Sequence, residues 1–385
     1  MKGWNNIVFK DFITLQRGFD LPKNKRKKGI YPVVASTSIT GKHNDYKVEK
    51  PCVATGRSGT LGEVLFVDSK CWPLNTTLWV KNFKGNDSKF VYYKLKTLDL
   101  KKYNSGAGVP TLNRNHLNAI RISIPDISVQ KKMVSFISKY DSLIENNQKR
   151  IKILEEMTQR LYAEWFVKYK FPGHEKVKLV DSETEFGIIP GGWEVSEINR
   201  VANINGLSVS KKNAPDKINY VSISDVSTGK IDHQKLIKFD TAPSRARRIV
   251  KHGDIIWSTV RPNRKSYSLI LQPDENYVVS TGFVVLSSKN ISFSYLYQWV
   301  TKQEFVDYLV NNAKGSAYPA VSAKDFESAK IIIPPREIQS LFADVVDKYY
   351  EYKKFLEKIN LSLSEKRDLL IENLITRKRL LKEQI

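Results

Sequence analysis

Arginine and lysine side chains grouped with hydroxyls are the residues of this sequence best suited to chemistry, and that chemistry is the recognition of a polyanion. The run Lys23-Asn-Lys-Arg-Lys-Lys28 sets five cations before Gly29, so Lys25, Arg26, Lys27 and Lys28 are candidate phosphate contacts on a loop. Thr55-Gly-Arg57-Ser58-Gly59 and Ser258-Thr-Val-Arg261-Pro262 place an arginine beside hydroxyls in what read as matching places. Arg57 and Thr77 are 20 residues apart, as are Arg261 and Thr281. An arginine can grip guanine O6 and N7 bidentately, or clamp a phosphate. Arg245-Ala-Arg247-Arg248 and Asn263-Arg264-Lys265 add cations to the second half. Ser36 and Thr37, with Lys211 and Lys212, are weaker candidates on expected loops. Each has a plainer alternative: a charge run is often a solvated face, and an arginine often pairs with a carboxylate inside the fold. The sequence leaves both open.

The whole composition agrees with a polyanionic partner. The 385 residues carry 63 lysines and arginines against 40 acids, a formal net charge of +23, which solubility does not require. Catalytic signatures are missing. Pro334-Pro335 is followed by Arg336 and not by the aromatic residue that a base-holding methyltransferase motif needs. Gly106-Ala-Gly108 lacks the further glycine of a cofactor loop. His43, His116, His174, His233 and His252 show no metal-ligand spacing among themselves or with Cys52 and Cys71. The two cysteines are expected as reduced core residues. No run approaches the roughly 20 apolar residues of a membrane span, and Met1-Lys-Gly-Trp-Asn-Asn lacks the apolar core of a signal peptide, so a cytoplasmic location is expected.

The elements that must hold these residues occur twice. Pro110 and Pro319, Pro125 and Pro334, Gln130 and Gln339, and Leu154 and Leu363 are each 209 positions apart, so the match over this stretch needs no gap. Apolar runs such as Tyr31-Pro-Val-Val-Ala35, broken by Gly, Asn, Ser and Lys turns, predict a mixed domain over residues 1–127 and a second over 192–335. From 128 to 170 the residues Met133, Ile137, Tyr140, Ile144, Ile151, Leu154, Met157, Leu161 and Trp165 recur at threes and fours, with Asn147 interrupting. From 336 to 385 a second seam holds Ile338, Phe342, Val345, Tyr349, Tyr352, Leu356, Ile359, Leu363, Leu370 and Leu374, with Lys366 interrupting. The Gly and Pro turns of 171–191 predict a linker. The fold class expected is α+β: two α/β domains joined by two long antiparallel helices in a coiled coil, with a pseudo-two-fold repeat. About 40 residues at roughly 1.5 Å each give a spacer of about 60 Å.

These features resemble the specificity subunit of a type I restriction-modification system over essentially the whole chain. The resemblance rests on Leu161-Tyr-Ala-Glu-Trp-Phe-Val-Lys168, then Phe171-Pro-Gly173, then Gly187-Ile-Ile-Pro-Gly-Gly-Trp193, and on the Pro-then-Gln openings of both helices. It implies two target recognition domains, each reading half of a bipartite double-stranded DNA site, with the helices setting the gap. It further implies recruitment of two adenine-N6 methyltransferase subunits, joined by restriction/translocase subunits. S-adenosylmethionine, ATP and Mg are then expected on those partners, with no cofactor on this chain. Trp165 and Phe166 are candidates for the partner interface, with packing on the neighbouring recognition domain as the alternative. Two rival classes stay open: a stand-alone two-headed DNA-binding regulator, and a self-contained enzyme with a divergent site.

Overall fold

The computed structural model describes residues 3–106, 108–210 and 212–376, and the chain divides into two compact units, Met1–Asn147 with Ile359–Ile385, and Gln148–Lys358. Four helices frame them: α1 (Ser88–Thr97), α2 (Ile127–Tyr162), α3 (Phe293–Thr301) and α4 (Arg336–Leu370).

In the first unit, Cys52–Gly56 is buried at every residue and therefore runs through the middle of an antiparallel sheet. The order is Thr14–Arg17, Thr77–Asn82, Cys52–Gly56, Val64–Val67. A second sheet pairs Ile39–His43 with Tyr31–Val34, which lies parallel to Trp72–Pro73. Trp4–Val8 pairs with Arg121–Pro125, setting Trp4 opposite Pro125. Cys52 and Cys71 are buried free thiols in a small core between strands.

The second unit repeats this plan. Ala202–Ile204, Phe283–Ser288, Ile255–Ser258 and Tyr267–Leu269 form a sheet of the same order and sense. Lys217–Val221 pairs with Lys235–Lys238 and lies parallel to Tyr277–Ser280, as in the first unit. Glu194–Glu197 pairs with Lys330–Ile333, which leaves Trp193 beside Pro334 as Trp4 is beside Pro125. An added strand, Ala246–Ile249, borders Tyr277–Ser280, where the first unit has only the single bridge Val48 to Cys71. The internal repeat is thus a repeat of topology.

The two long helices run antiparallel within each unit. Arg367 meets Asp141 at 3.1 Å and Asn147 donates to Asn360 at 2.9 Å in the first. Lys353 meets Glu155 at 2.5 Å in the second. Asn147 is therefore a paired seam residue, whereas Lys366 is exposed and Arg367 turns inward in its place. The expected seam also slips by one residue in two places. Thr158 is buried and Met157 is 42% exposed; Val346 and Tyr350 are buried while Val345 and Tyr352 are exposed. The reason is the neighbour. Ile338, Phe342, Val346 and Tyr350 pack into the core of the second unit, so their spacing of four follows a straight 3.6-residue helix against a domain.

Each helix ends in a π-helical turn, Ala163–Val167 after α2 and Ile371–Ile375 after α4. The wider turn presses Phe166 and Ile375 into the respective cores, at 4% and 0% exposure. Residues 171–191, expected as a linker, form a packed strap: a hairpin joins Leu179–Asp181 to Ile188–Pro190, and Phe171 and Ile189 are buried beside Trp193. No helix among the described residues is long and apolar enough to cross a membrane.

Candidate nucleic-acid interface

A buried glutamine builds the same joint in both units. Gln130 Nε2 donates to the Pro125 carbonyl at 2.9 Å, and its Oε1 accepts from the Asp87 N–H at the start of α1. Gln339 Nε2 donates to the Pro334 carbonyl at 2.7 Å, and its Oε1 accepts from the Ser292 N–H at the start of α3. Each short helix is then capped by the same residue, through Asp87 to Phe90 N or Ser292 to Tyr295 N. In both units this joint ties the end of the two-stranded sheet, at Pro125 or Pro334, and the start of the short helix to the long helix.

In the first unit the structure brings Ser36, Arg57 and Ser58 together. Ser36 Oγ donates to the carbonyls of Ser58 and Thr76, both at 3.0 Å, and the half-buried Arg57 donates to the Asn75 carbonyl at 3.3 Å. Thr37 is exposed next to them. The basic run lies beside a different sheet. Lys25, Lys27 and Lys28 are exposed, while Arg26 is half-buried and donates to the Thr40 carbonyl at 3.2 Å. Three of these four side chains are therefore free to meet phosphate; Arg26 fastens the loop to the strand Ile39–His43.

In the second unit Val209 N donates to the Arg247 carbonyl, so the turn carrying exposed Lys212 runs beside the added strand. Arg245 is exposed, and the Arg247 guanidinium lies 4.9 Å from the Phe239 ring centre. Arg248 is half-buried, and its Nε has no hydrogen-bond partner among the described residues. Desolvation lowers its affinity for the proton without threatening its charge. Lys211 lies outside the described residues. The second group sits elsewhere on the unit: Asn263 and Arg264 are exposed on the turn after Arg261, and Lys265 donates to Gln303 Oε1 at 2.6 Å.

Arg57 and Arg261 do not occupy matching places. Arg57 accepts from Leu112 N through its carbonyl, and in the second unit Thr259 accepts in the same way from Val321 N. Arg261 instead matches Gly59: both have positive φ, at +53° and +88°, and both donate their N–H to a repeated proline, Pro319 at 2.7 Å and Pro110 at 3.0 Å. The shared separation of 20 residues is coincidental, because Gly56 pairs with Thr77 whereas Ser258 pairs with Phe283, stretches that differ by four residues. Sequence reasoning also missed Tyr318, whose ring lies against the Arg261 guanidinium, and exposed Val109 at the same repeat position, although each precedes a repeated proline.

Phe166 is packed between Trp193, Tyr295 and Phe342, at centroid distances of 5.9, 4.6 and 4.9 Å. Its ring belongs to the core of the second unit, and Trp165 keeps a partly exposed edge beside Phe342. No cluster of three or more His, Cys, Asp or Glu able to hold a metal ion occurs among the described residues.

Two copies of one β-rich domain, each with cationic loops and part of two long helices, define the class as a two-part reader of a polyanion. The chain belongs to the family of the type I restriction modification DNA specificity domain, whose model matches residues 1–156 and again 190–365. Membership makes it a DNA specificity subunit, a recognition protein and not the catalyst of its system. The chain is similar to the type I restriction enzyme MjaIX specificity subunit of Methanocaldococcus jannaschii, with 25% identity over 320 residues, 79% of this chain and 72% of that protein. It is 24% identical over 282 residues to the MjaVIII specificity subunit of the same organism, 70% of this chain and 65% of that protein. In fold it resembles the crystal structure of the type I restriction-modification S subunit from M. genitalium, with a TM-score of 0.59 at 16% identity, covering 96% of this chain and 95% of that one.

Proposed function

We propose that residues 1–127 and 192–335 are the two target recognition domains, each reading one half of a bipartite double-stranded DNA site, with the gap set by the helices of 128–170 and 336–385. The observation that carries this is the twofold use of one sheet order and one glutamine joint, because one shared frame with different loops suits two different half-sites. Exposed Lys25, Lys27, Lys28, Lys212, Arg245 and Arg264 hold phosphates, while Ser36, Thr37, Arg57, Ser58, Arg247, Arg248, Arg261, Asn263 and Lys265 lie in or beside turns that face the duplex. The chain recruits two adenine-N6 methyltransferase subunits, and restriction/translocase subunits join them. S-adenosylmethionine, ATP and Mg belong to those partners, and the complex works in the cytoplasm. The free edge of Trp165 belongs to the partner surface.

The test is assembly. Co-expressed with an adenine methyltransferase of its system, the chain should purify as a complex that retards a duplex with both half-sites and not one with either alone. Tight, site-specific binding by the chain without any partner would favour a stand-alone regulator.

A further inference from the structure

The repeated Gly/Pro loops around Gly106 and Gly315 share one closing backbone bond, Ser105 N to Thr111 O and Lys314 N to Ala320 O. Ser105 N donates to Thr111 O at 2.8 Å, and Lys314 and Ala320 exchange two backbone bonds at 2.9 Å. Each loop is then fastened to the strand-end turn through its proline, Pro110 to Gly59 and Pro319 to Arg261. The repeated glycine is required in both. A Cβ on Gly106 would lie 2.0 Å from the Val109 carbonyl oxygen, and Gly315 has φ +95°. This bonding turns one side chain outward at the same repeat position: Val109 is 59% exposed and Tyr318 is 68% exposed.

Leaving a large apolar side chain in water forgoes the gain of burying it, and here that happens twice at one repeat position. The surroundings are cationic. Around Tyr318, the Arg261 guanidinium stands 4.5 Å from the ring centre, Lys314 is exposed on the same loop and Arg264 is exposed on the turn after Arg261. An apolar tip set among cations suits a duplex, whose phosphates attract the rim while base edges and stacked faces take the tip.

We propose that Val109 and Tyr318 are apolar DNA contacts, one per half-site, pressed against bases, with the cations around Tyr318 holding the backbone at its half-site. This rests on the DNA-reading assignment above and names the side chains that carry it out. Arg261 is the positioning residue for the Tyr318 ring.

The experiment measures binding of the assembled methyltransferase complex to duplexes in which each half-site is scrambled in turn, across a range of salt. Tyr318→Ala should weaken binding to the intact site by about tenfold or more and erase discrimination at one half-site only, with an unchanged salt slope. Val109→Ser should do the same, more weakly, at the other half-site, and Tyr318→Phe should retain reading. Unchanged binding by Tyr318→Ala and Val109→Ser would overturn the proposal. So would an equal loss on all sequences with a shallower salt slope, which would leave only a cation-positioning role. Loss of methyltransferase from the purified complex would assign the loops to a protein interface instead. A wild-type complex with no discrimination at either half-site would overturn the DNA-reading assignment itself, whatever the loop variants do.

Discussion

Gln130 and Gln339, 209 positions apart in the chain, make the same pair of hydrogen bonds in two separate cores at 2% and 4% exposure. Burying an amide is tolerable only when its donor and acceptor are both satisfied, and these two are. The joint therefore specifies one arrangement of sheet, short helix and long helix, and it does so twice.

Removing one joint should cost stability in its own unit. Gln339→Leu leaves the Ser292 N–H and the Pro334 carbonyl without this partner, a loss of about 2–3 kcal/mol. Urea unfolding followed by tryptophan fluorescence should show it; a variant as stable as the wild type would mean water replaces the amide without cost.

The seam asparagines should behave as a pair. Asn147→Leu strands the Asn360 amide and should destabilise by about 1–2 kcal/mol, whereas Asn147→Leu with Asn360→Leu should recover most of the loss. Additive losses in thermal unfolding would show that the two amides are independent.

Lys94 gives the first unit a pH dependence. It is 7% exposed, its Nζ donates to the Ile375 carbonyl at 3.3 Å, and burial pushes its pKa down to about 8 from an ordinary 10.5. Between those values the unfolded chain holds a proton that the folded chain has released, so stability should rise with pH there. Below pH 8 both states are charged and the burial penalty is fully present. The rise is at most about 1.4 kcal/mol per pH unit. Relative to Lys94→Met, the wild type should therefore gain stability between pH 8 and about 9.5 in urea titrations. Parallel profiles for the two proteins would contradict the assignment.

The basic loop should act through salt. Changing Lys25, Lys27 and Lys28 to Gln should weaken DNA binding by the assembled complex alike on all sequences. The slope of log affinity against log salt should fall by about 0.9 for each phosphate contact removed. A loss confined to one DNA sequence would place a lysine on a base edge.

The repeat, the two long helices and their Pro-then-Gln openings were legible because they are patterns of spacing, which backbone geometry reads directly. Asn147 was legible as a break in a seam, though only the fold supplies Asn360 as its partner. The slips at Met157 and Val345 were not legible, since whether a helix faces another helix or a domain decides between two nearly equal periods. The pairing of Arg57 with Arg261 failed because the stretches between matched strands differ in length: Thr259, two residues before Arg261, holds the place of Arg57, as the bonds to Leu112 and Val321 and to Pro110 and Pro319 show. Tyr318 went unnoticed because an aromatic in a sequence reads as core until its loop is seen to turn it outward.

Long-read mapping of N6-methyladenine tests the central claim most directly, comparing cells that express this chain with its methyltransferase against cells that lack only this chain. Chain-dependent methylation of a two-part motif with a fixed, unspecified gap is the predicted result. Methylation that is unchanged by loss of the chain while the complex still assembles, or a motif without a gap, would contradict it.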